Sequence, residues 1–194
     1  MKIDNSKKII LDLCGGTGSW SKPYRDAGYD VRLITLPGND VREYVPPKNV
    51  YGILAAPPCT HFSGSGACWW KEKDKDGRTL TDLEIFTACL RIILLAKPKF
   101  WVLENPVGRL HRWFGKPKMY FNPCDYGDAY TKKTCLWGEF NEPKKNPVKP
   151  KYIIGKRDGK RYSPIHYMVR TPDRAKIRSI TPPRFANAFF KANQ

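Results

Sequence analysis

The chain has 194 residues, 41% of them hydrophobic and 13% aromatic, which supplies enough apolar surface to order one α/β domain, excludes a disordered chain and leaves little room for a second core. Its 35 Lys and Arg against 18 Asp and Glu give a formal net charge of +17, an excess that serves a polyanion or an anionic surface, with nucleic acid the leading partner. No apolar run approaches the ~18 residues that span a bilayer, no apolar leader core follows Met1-Lys2-Ile3, and the six cysteines form no CxxC pair; the expectation is therefore reduced thiols in a cytoplasm, with no membrane, metal or disulfide scaffold.

Taken in chain order, Lys8 to Leu13 is a short apolar run that predicts a buried parallel strand. It runs into Cys14-Gly15-Gly16-Thr17-Gly18-Ser19-Trp20 and then a short helix from Pro23 to Gly28. Tyr29 to Ile34 and Val50 to Ala56 predict two further strands, the second ending at Pro57-Pro58-Cys59. Residues 60 to 79, rich in Gly, Ser, Lys and Asp, predict a mobile loop. A helix follows with Leu83, Phe86, Leu90, Ile93 and Leu94 on one face and Lys97-Pro98 as its stop. Phe100 to Leu103 is another buried strand, closed by Glu104-Asn105-Pro106. The alternation predicts a Rossmann-like α/β fold, a mostly parallel sheet with helices on both faces.

Beyond Gly115 the alternation ends. Met119 to Phe121 and Thr134 to Phe140 predict strands, and Asn141 to Arg178 then carries twelve Lys or Arg against Glu142, Asp158 and Asp173. Thr181-Pro182-Pro183 opens a terminal helix with Phe185, Ala188 and Phe189 on its apolar face. The expected organisation is a catalytic domain over 1–140, a short basic nucleic-acid-recognition segment over 141–178, and a helix over 179–194 returning to the domain.

Three places suggest chemistry. The glycine loop after the first strand is either a cradle for a nucleotide-like cofactor or a structural turn. Cys59 lies beyond the carboxyl end of a strand, where open parallel sheets bind ligands, and reads as a nucleophile or as a small buried hydrophobe. Glu104 ends the adjacent strand and reads as an acid paired with that thiol or as a solvated strand-end residue. Cys59, His61 and Cys68 lack the paired spacing of metal ligands. Trp69-Trp70 is open to base stacking or to core packing, and the basic stretch to phosphate binding or to a solvated face.

The order LDLCGGTGSW, AAPPCTHFS, LENP and TPPRFANAFF resembles the cytosine-5 DNA methyltransferases along nearly the whole chain, above all the compact stand-alone forms found in phage genomes. The resemblance implies S-adenosylmethionine as cofactor and DNA as substrate, in duplex form with the base flipped out or single-stranded, and a monomer is expected. It implies a Cys59 thiolate that adds to C6 of cytosine, Glu104 acting at N3, and Asn105 supporting Glu104 and the loop that carries Cys59. Cofactor contacts would come from Asp12, Gly16, Thr17, Gly18, Trp20, Asp40 and Pro57. Nucleic-acid contacts would come from Ser63, Lys132 and Lys133, joined from the basic stretch by Lys156, Arg157, Lys160 and Arg161. The chain departs from the family at Cys14, where phenylalanine is usual, at Ser19, where glycine is usual, and at Tyr130 and Thr134, where a glutamine and an arginine are expected. Methylation of cytosine in RNA or in a nucleotide, and a catalytically silent DNA-binding protein, are the alternatives.

Overall fold

Four apolar runs, β1 (Ile9–Leu13), β2 (Asp30–Ile34), β3 (Val50–Ala55) and β4 (Phe100–Pro106), pair in parallel in the order β2-β1-β3-β4 in the computed structural model. The structure describes residues 4–169 and 171–194; Met1 to Ile3 of the charged N-terminus and Arg170 of the basic stretch lie outside them. The sheet continues antiparallel through β6 (Thr134–Glu139) onto β4, and β5 (Met119–Phe121) forms its edge beside β6. Since β6 begins where β4 ends, with Thr134 opposite Pro106, the turn before β6 reaches the edge at which the parallel strands terminate.

Side chains alternate across a strand, and this sets the layers. Leu11, Ile53, Leu103 and Trp137 face α3 (Arg78–Ala96) and pack on Phe86, Cys89 and Ile92. Ile10, Leu54, Val102 and Leu136 face the other way, onto Trp20, onto Tyr24 of α1 (Lys22–Asp26), and onto Phe185 and Phe189 of α6 (Pro183–Ala192). Phe185 stacks on Phe121 with ring centroids 3.8 Å apart. The sheet is thus covered on both faces, as expected. Among the described residues, no helix is long and apolar enough to cross a membrane.

Two expectations need correction. The buried stripe of α3 runs through Asp82, Phe86, Cys89 and Ile93, while Leu94 is 73% exposed; two polar residues on the inner face, Thr79 and Asp82, hid the true stripe. Residues 60 to 79 are ordered as a 3-10 turn (Gly64–Trp69) and a short helix, α2 (Trp70–Lys75), because buried charges tie them to their surroundings. The basic stretch holds a two-stranded ribbon, β7 (Ile153–Ile154) with β8 (Arg161–Tyr162), and a further helix, α5 (Arg174–Ser179). The remaining short helix is α4 (His111–Phe114).

Candidate active site

Parallel pairing places the ends of β1, β3 and β4 side by side, with Leu13 opposite Ala55 and Ala55 opposite Leu103. The glycine loop, Pro57-Pro58-Cys59 and Glu104-Asn105 therefore share one edge of the sheet. The Ala56 amide donates to the Leu13 carbonyl at 2.9 Å, which carries the pairing of β1 and β3 to the mouth of both loops.

The glycine loop is built over a buried carboxylate. Gly16 and Gly18 adopt positive φ of 54° and 67°, and a Cβ on Gly15 would lie 2.2 Å from an Asp12 carboxylate oxygen. Asp12 is fully buried, accepts a hydrogen bond from Ser21 Oγ at 2.5 Å, and keeps Oδ1 without a partner among the described residues. Loss of solvent drives its pKa up to about 6, against the opposing pull of Ser21 and Arg25. An unpartnered carboxylate acceptor beneath a turn that excludes side chains suits a cofactor whose end carries a cationic donor such as an ammonium group. Thr17 is exposed on the loop. Trp20 is placed elsewhere: it is 2% exposed, in the core against Phe189 at 5.7 Å, so its indole supports the loop from beneath. Asp40, in the loop after β2, is engaged by Arg42 through the backbone amide and the guanidinium, which holds its carboxyl below the usual range.

Cys59 lies within the electrostatic reach of Glu104, and a cation, Lys132, acts on both. Burial pushes the Cys59 thiol up to about 11, helped by the negative field of Glu104 and opposed by Lys132. Burial likewise raises Glu104 above the usual carboxylate range, with Lys132 again opposing. The Lys132 ammonium is held by the Arg178 carbonyl at 2.7 Å. Lys133, next along the chain, lies over the Tyr120 ring at 5.2 Å. Asn105 is fully buried and donates from Nδ2 to the Pro57 carbonyl at 3.0 Å, tying the end of β4 to the Cys59 loop.

That loop is held by residues the sequence did not single out. The Thr60 carbonyl accepts from Lys73 Nζ at 2.8 Å, the His61 amide donates to Asp82 at 3.0 Å, and the His61 carbonyl accepts from Arg109 Nε at 3.1 Å. Lys73, Asp82 and Arg109 are all under 9% exposed. Charged residues inside a periodic helix or after a strand read as surface, so their burial was the only signal and it is invisible in sequence. Ser63 pairs with Gly108 across an isolated bridge, and its hydroxyl meets that of Ser65 at 2.9 Å. Trp70 packs beneath the guanidiniums of Arg109 and Arg112, at 4.9 and 5.6 Å, whereas Trp69 is 57% exposed.

The ribbon β7–β8 presents Lys156, Arg157, Lys160 and Arg161 as exposed cations around its turn, with Arg161 over the Tyr152 ring at 4.4 Å. It is anchored to the chain before β6 by Ser163, whose hydroxyl donates to the Thr131 carbonyl at 2.6 Å. Two open grooves, of about 620 and 500 Å³, lie along α6 and at the opposite edge of the sheet, and neither is lined by Cys59 or Glu104. No group of three metal-ligating side chains comes together among the described residues.

Residues 27–116 match the family model described as C-5 cytosine-specific DNA methylase, a span that holds Cys59, Glu104 and Asn105. Type II methyltransferase M.DdeI of Desulfomicrobium norvegicum is 29% identical over 127 residues, covering 52% of this chain and 28% of that protein. Type II methyltransferase M1.HphI of Haemophilus parahaemolyticus is 33% identical over 81 residues, covering 40% and 19%. The chain thus spans less than a third of the curated relatives it matches. A crystal structure titled as a DNA modification methyltransferase of an E. coli prophage superposes with a TM-score of 0.50 at 16% identity, over 73% of this chain and 53% of that one, and shares the fold.

The buried Asp12 has a measurable consequence. Its folded pKa of about 6 stands above the ordinary 3.8, so its contribution to stability is present below pH 4 and is lost as pH rises through 6, a step of roughly 3 kcal/mol. Asp12→Asn should abolish that step. Urea denaturation of both proteins at pH 4 and pH 7 should give a stability difference that changes with pH; a constant difference would mean that Asp12 is not desolvated.

Proposed function

We propose that the chain, whose residues 27–116 match the C-5 cytosine-specific DNA methylase model, methylates C5 of cytosine in DNA, with Cys59 as nucleophile and Glu104 as the acid at N3. The observation that carries this reading is a thiol and a partly buried carboxyl at the ends of adjacent parallel strands, with one lysine acting on both.

The Cys59 thiolate forms a bond to C6 of the cytosine while Glu104 delivers a proton to N3. The C5–C6 electron pair is then available at C5, which becomes nucleophilic enough to take a methyl group. Transfer of the C5 proton to water, cleavage of the C6–S bond with its electron pair leaving on the Cys59 sulfur, and return of the N3 proton to Glu104 restore the aromatic ring. S-adenosylmethionine, when bound, supplies the electrophilic methyl carbon. Gly16, Thr17 and Gly18, with Asp12 beneath them, Asp40 and Pro57 are the residues that would hold it. C6 is shielded inside a stacked duplex, so the target base is extruded or already single-stranded. Lys156, Arg157, Lys160 and Arg161 hold the phosphate backbone during this step, and Ser63, Lys132 and Lys133 contact the nucleic acid nearer the base.

The raised pKa values of the two groups divide the work. A thiol near 11 stays protonated at neutral pH, and desolvation keeps a proton on Glu104 further up the scale than on a free carboxyl. Between the two pKa values each pH unit multiplies the thiolate fraction tenfold and divides the protonated-acid fraction tenfold. Their product is constant.

Mass spectrometry after incubation with S-adenosylmethionine and DNA containing 5-fluorocytosine should reveal a protein–DNA adduct one methyl heavier than the sum of its parts, absent in Cys59→Ala. Failure of the wild type to form it on duplex and single-stranded libraries, while still binding DNA, would reject DNA methylation. The wild-type single-turnover rate should gain less per pH unit on approaching pH 10 than that of Glu104→Gln, which should react more slowly but gain about tenfold per pH unit. A wild-type rate that climbs as steeply as the variant's would remove the acid role from Glu104. Replacing Lys156, Arg157, Lys160 and Arg161 together by Gln should reduce the slope of log affinity against log salt by roughly 3 to 4 on duplex DNA; an unchanged slope would take the ribbon out of the interface.

A further inference from the structure

We propose that Arg109 is a positioning residue for Cys59: one buried guanidinium, with its own backbone amide, fixes the loop that carries the thiol against α2 and α3. This rests on the reading of Cys59 as the nucleophile.

The side chain is 2% exposed and each of its nitrogens has a partner. Nε donates to the His61 carbonyl at 3.1 Å, one terminal nitrogen to Asp74 at 2.8 Å and the other to the Thr79 hydroxyl at 2.7 Å. Thr79 in turn donates to the second Asp74 oxygen at 2.7 Å, which closes a ring of three residues. The guanidinium carbon lies over the indoles of both Trp70 and Trp113, at 4.9 and 5.7 Å. The Arg109 amide donates to the Phe62 carbonyl at 2.9 Å, an approach that requires Gly108, since a Cβ there would lie 1.9 Å from that oxygen.

The pattern of partners separates positioning from general stabilisation. Arg109 binds the carbonyls of His61 and Phe62, two and three residues beyond Cys59, while the amides of Phe62 and Ser63 fold back onto the Cys59 carbonyl at 3.1 and 2.9 Å. The thiol is therefore attached to a turn whose far side is held by a planar, three-pronged donor. Burying a cation is a costly way to stabilise a fold, and apolar packing at the same place would do as well. A fixed fork geometry is what arginine supplies and neither lysine nor an apolar residue can reproduce.

Arg109→Lys keeps the charge and loses the fork. Its single-turnover rate of adduct formation with 5-fluorocytosine DNA should fall about 10- to 100-fold, with affinity for S-adenosylmethionine and DNA within about twofold of wild type. Asp74→Asn, at a carboxylate 52% exposed, is the milder variant in case the lysine does not fold, and should slow the same step about 3- to 10-fold. Amide hydrogen exchange gives a readout independent of activity: Phe62 and Ser63 should exchange at least about tenfold faster in either variant, with β1, β3 and β4 unchanged. Unaltered exchange at Phe62 and Ser63, or wild-type reaction per folded molecule in both variants, would overturn the proposal. If the wild type forms no adduct, the methyl-transfer reading fails by itself, and the exchange data still decide whether Arg109 orders the Cys59 loop.

Discussion

Parallel hydrogen bonding between β1, β3 and β4 is the constraint on which the rest of the structure depends. Parallel strands all finish at the same edge, so three segments separated by up to ninety positions in the chain deliver their loops to one place. The antiparallel entry of β6 adds a fourth, because a strand running the other way begins where its neighbour ends, and this brings Lys132 to Cys59 and Glu104. Shifting β4 along β3 would move Glu104 away from Cys59 even with every side chain retained.

Desolvation does the electrostatic work at that edge. Asp12, Glu104 and Cys59 are all pushed toward their protonated forms by burial, and in the latter two Lys132 limits the shift. A lysine shared between a thiol and a carboxyl favours both anions, yet is held back by its own bond to the Arg178 carbonyl. The basic segment therefore reaches Lys132 through the Arg178 carbonyl of α5, while its ribbon leaves four cations exposed. Charge on this protein lies at two depths, exposed on the ribbon and buried against backbone carbonyls.

The buried charges solve a problem of backbone satisfaction. A strand that ends in Pro57-Pro58 has no amide to continue its ladder, and the turn that follows leaves carbonyls pointing into the protein. Asn105, Lys73 and Arg109 supply donors to the carbonyls of Pro57, Thr60 and His61 in turn. Each is long or placed on a neighbouring element, so the loop is held without helix or strand of its own. Once those donors are accounted for, residues 64 to 75 form a 3-10 turn and α2 rather than an open loop, and Trp70 is part of their packing.

How much was legible in the sequence follows from the range of each interaction. Strand runs such as Lys8 to Leu13, the helix stop at Lys97-Pro98 and the apolar face of the terminal helix depend on neighbours in the chain, and so the α/β alternation, the glycine loop and the thiol at a strand end were readable from residue order. The ordered motifs also carried the resemblance to the cytosine-5 DNA methyltransferases. What only the tertiary structure decided was everything set by contact across the chain: that β6 runs antiparallel, that the buried stripe of α3 passes through Thr79 and Asp82, that Trp20 belongs to the core, and that Lys73, Asp82 and Arg109 are interior. A charged residue has the same local signature whether it faces water or a buried carbonyl, and only the folded chain determines which of the two it meets.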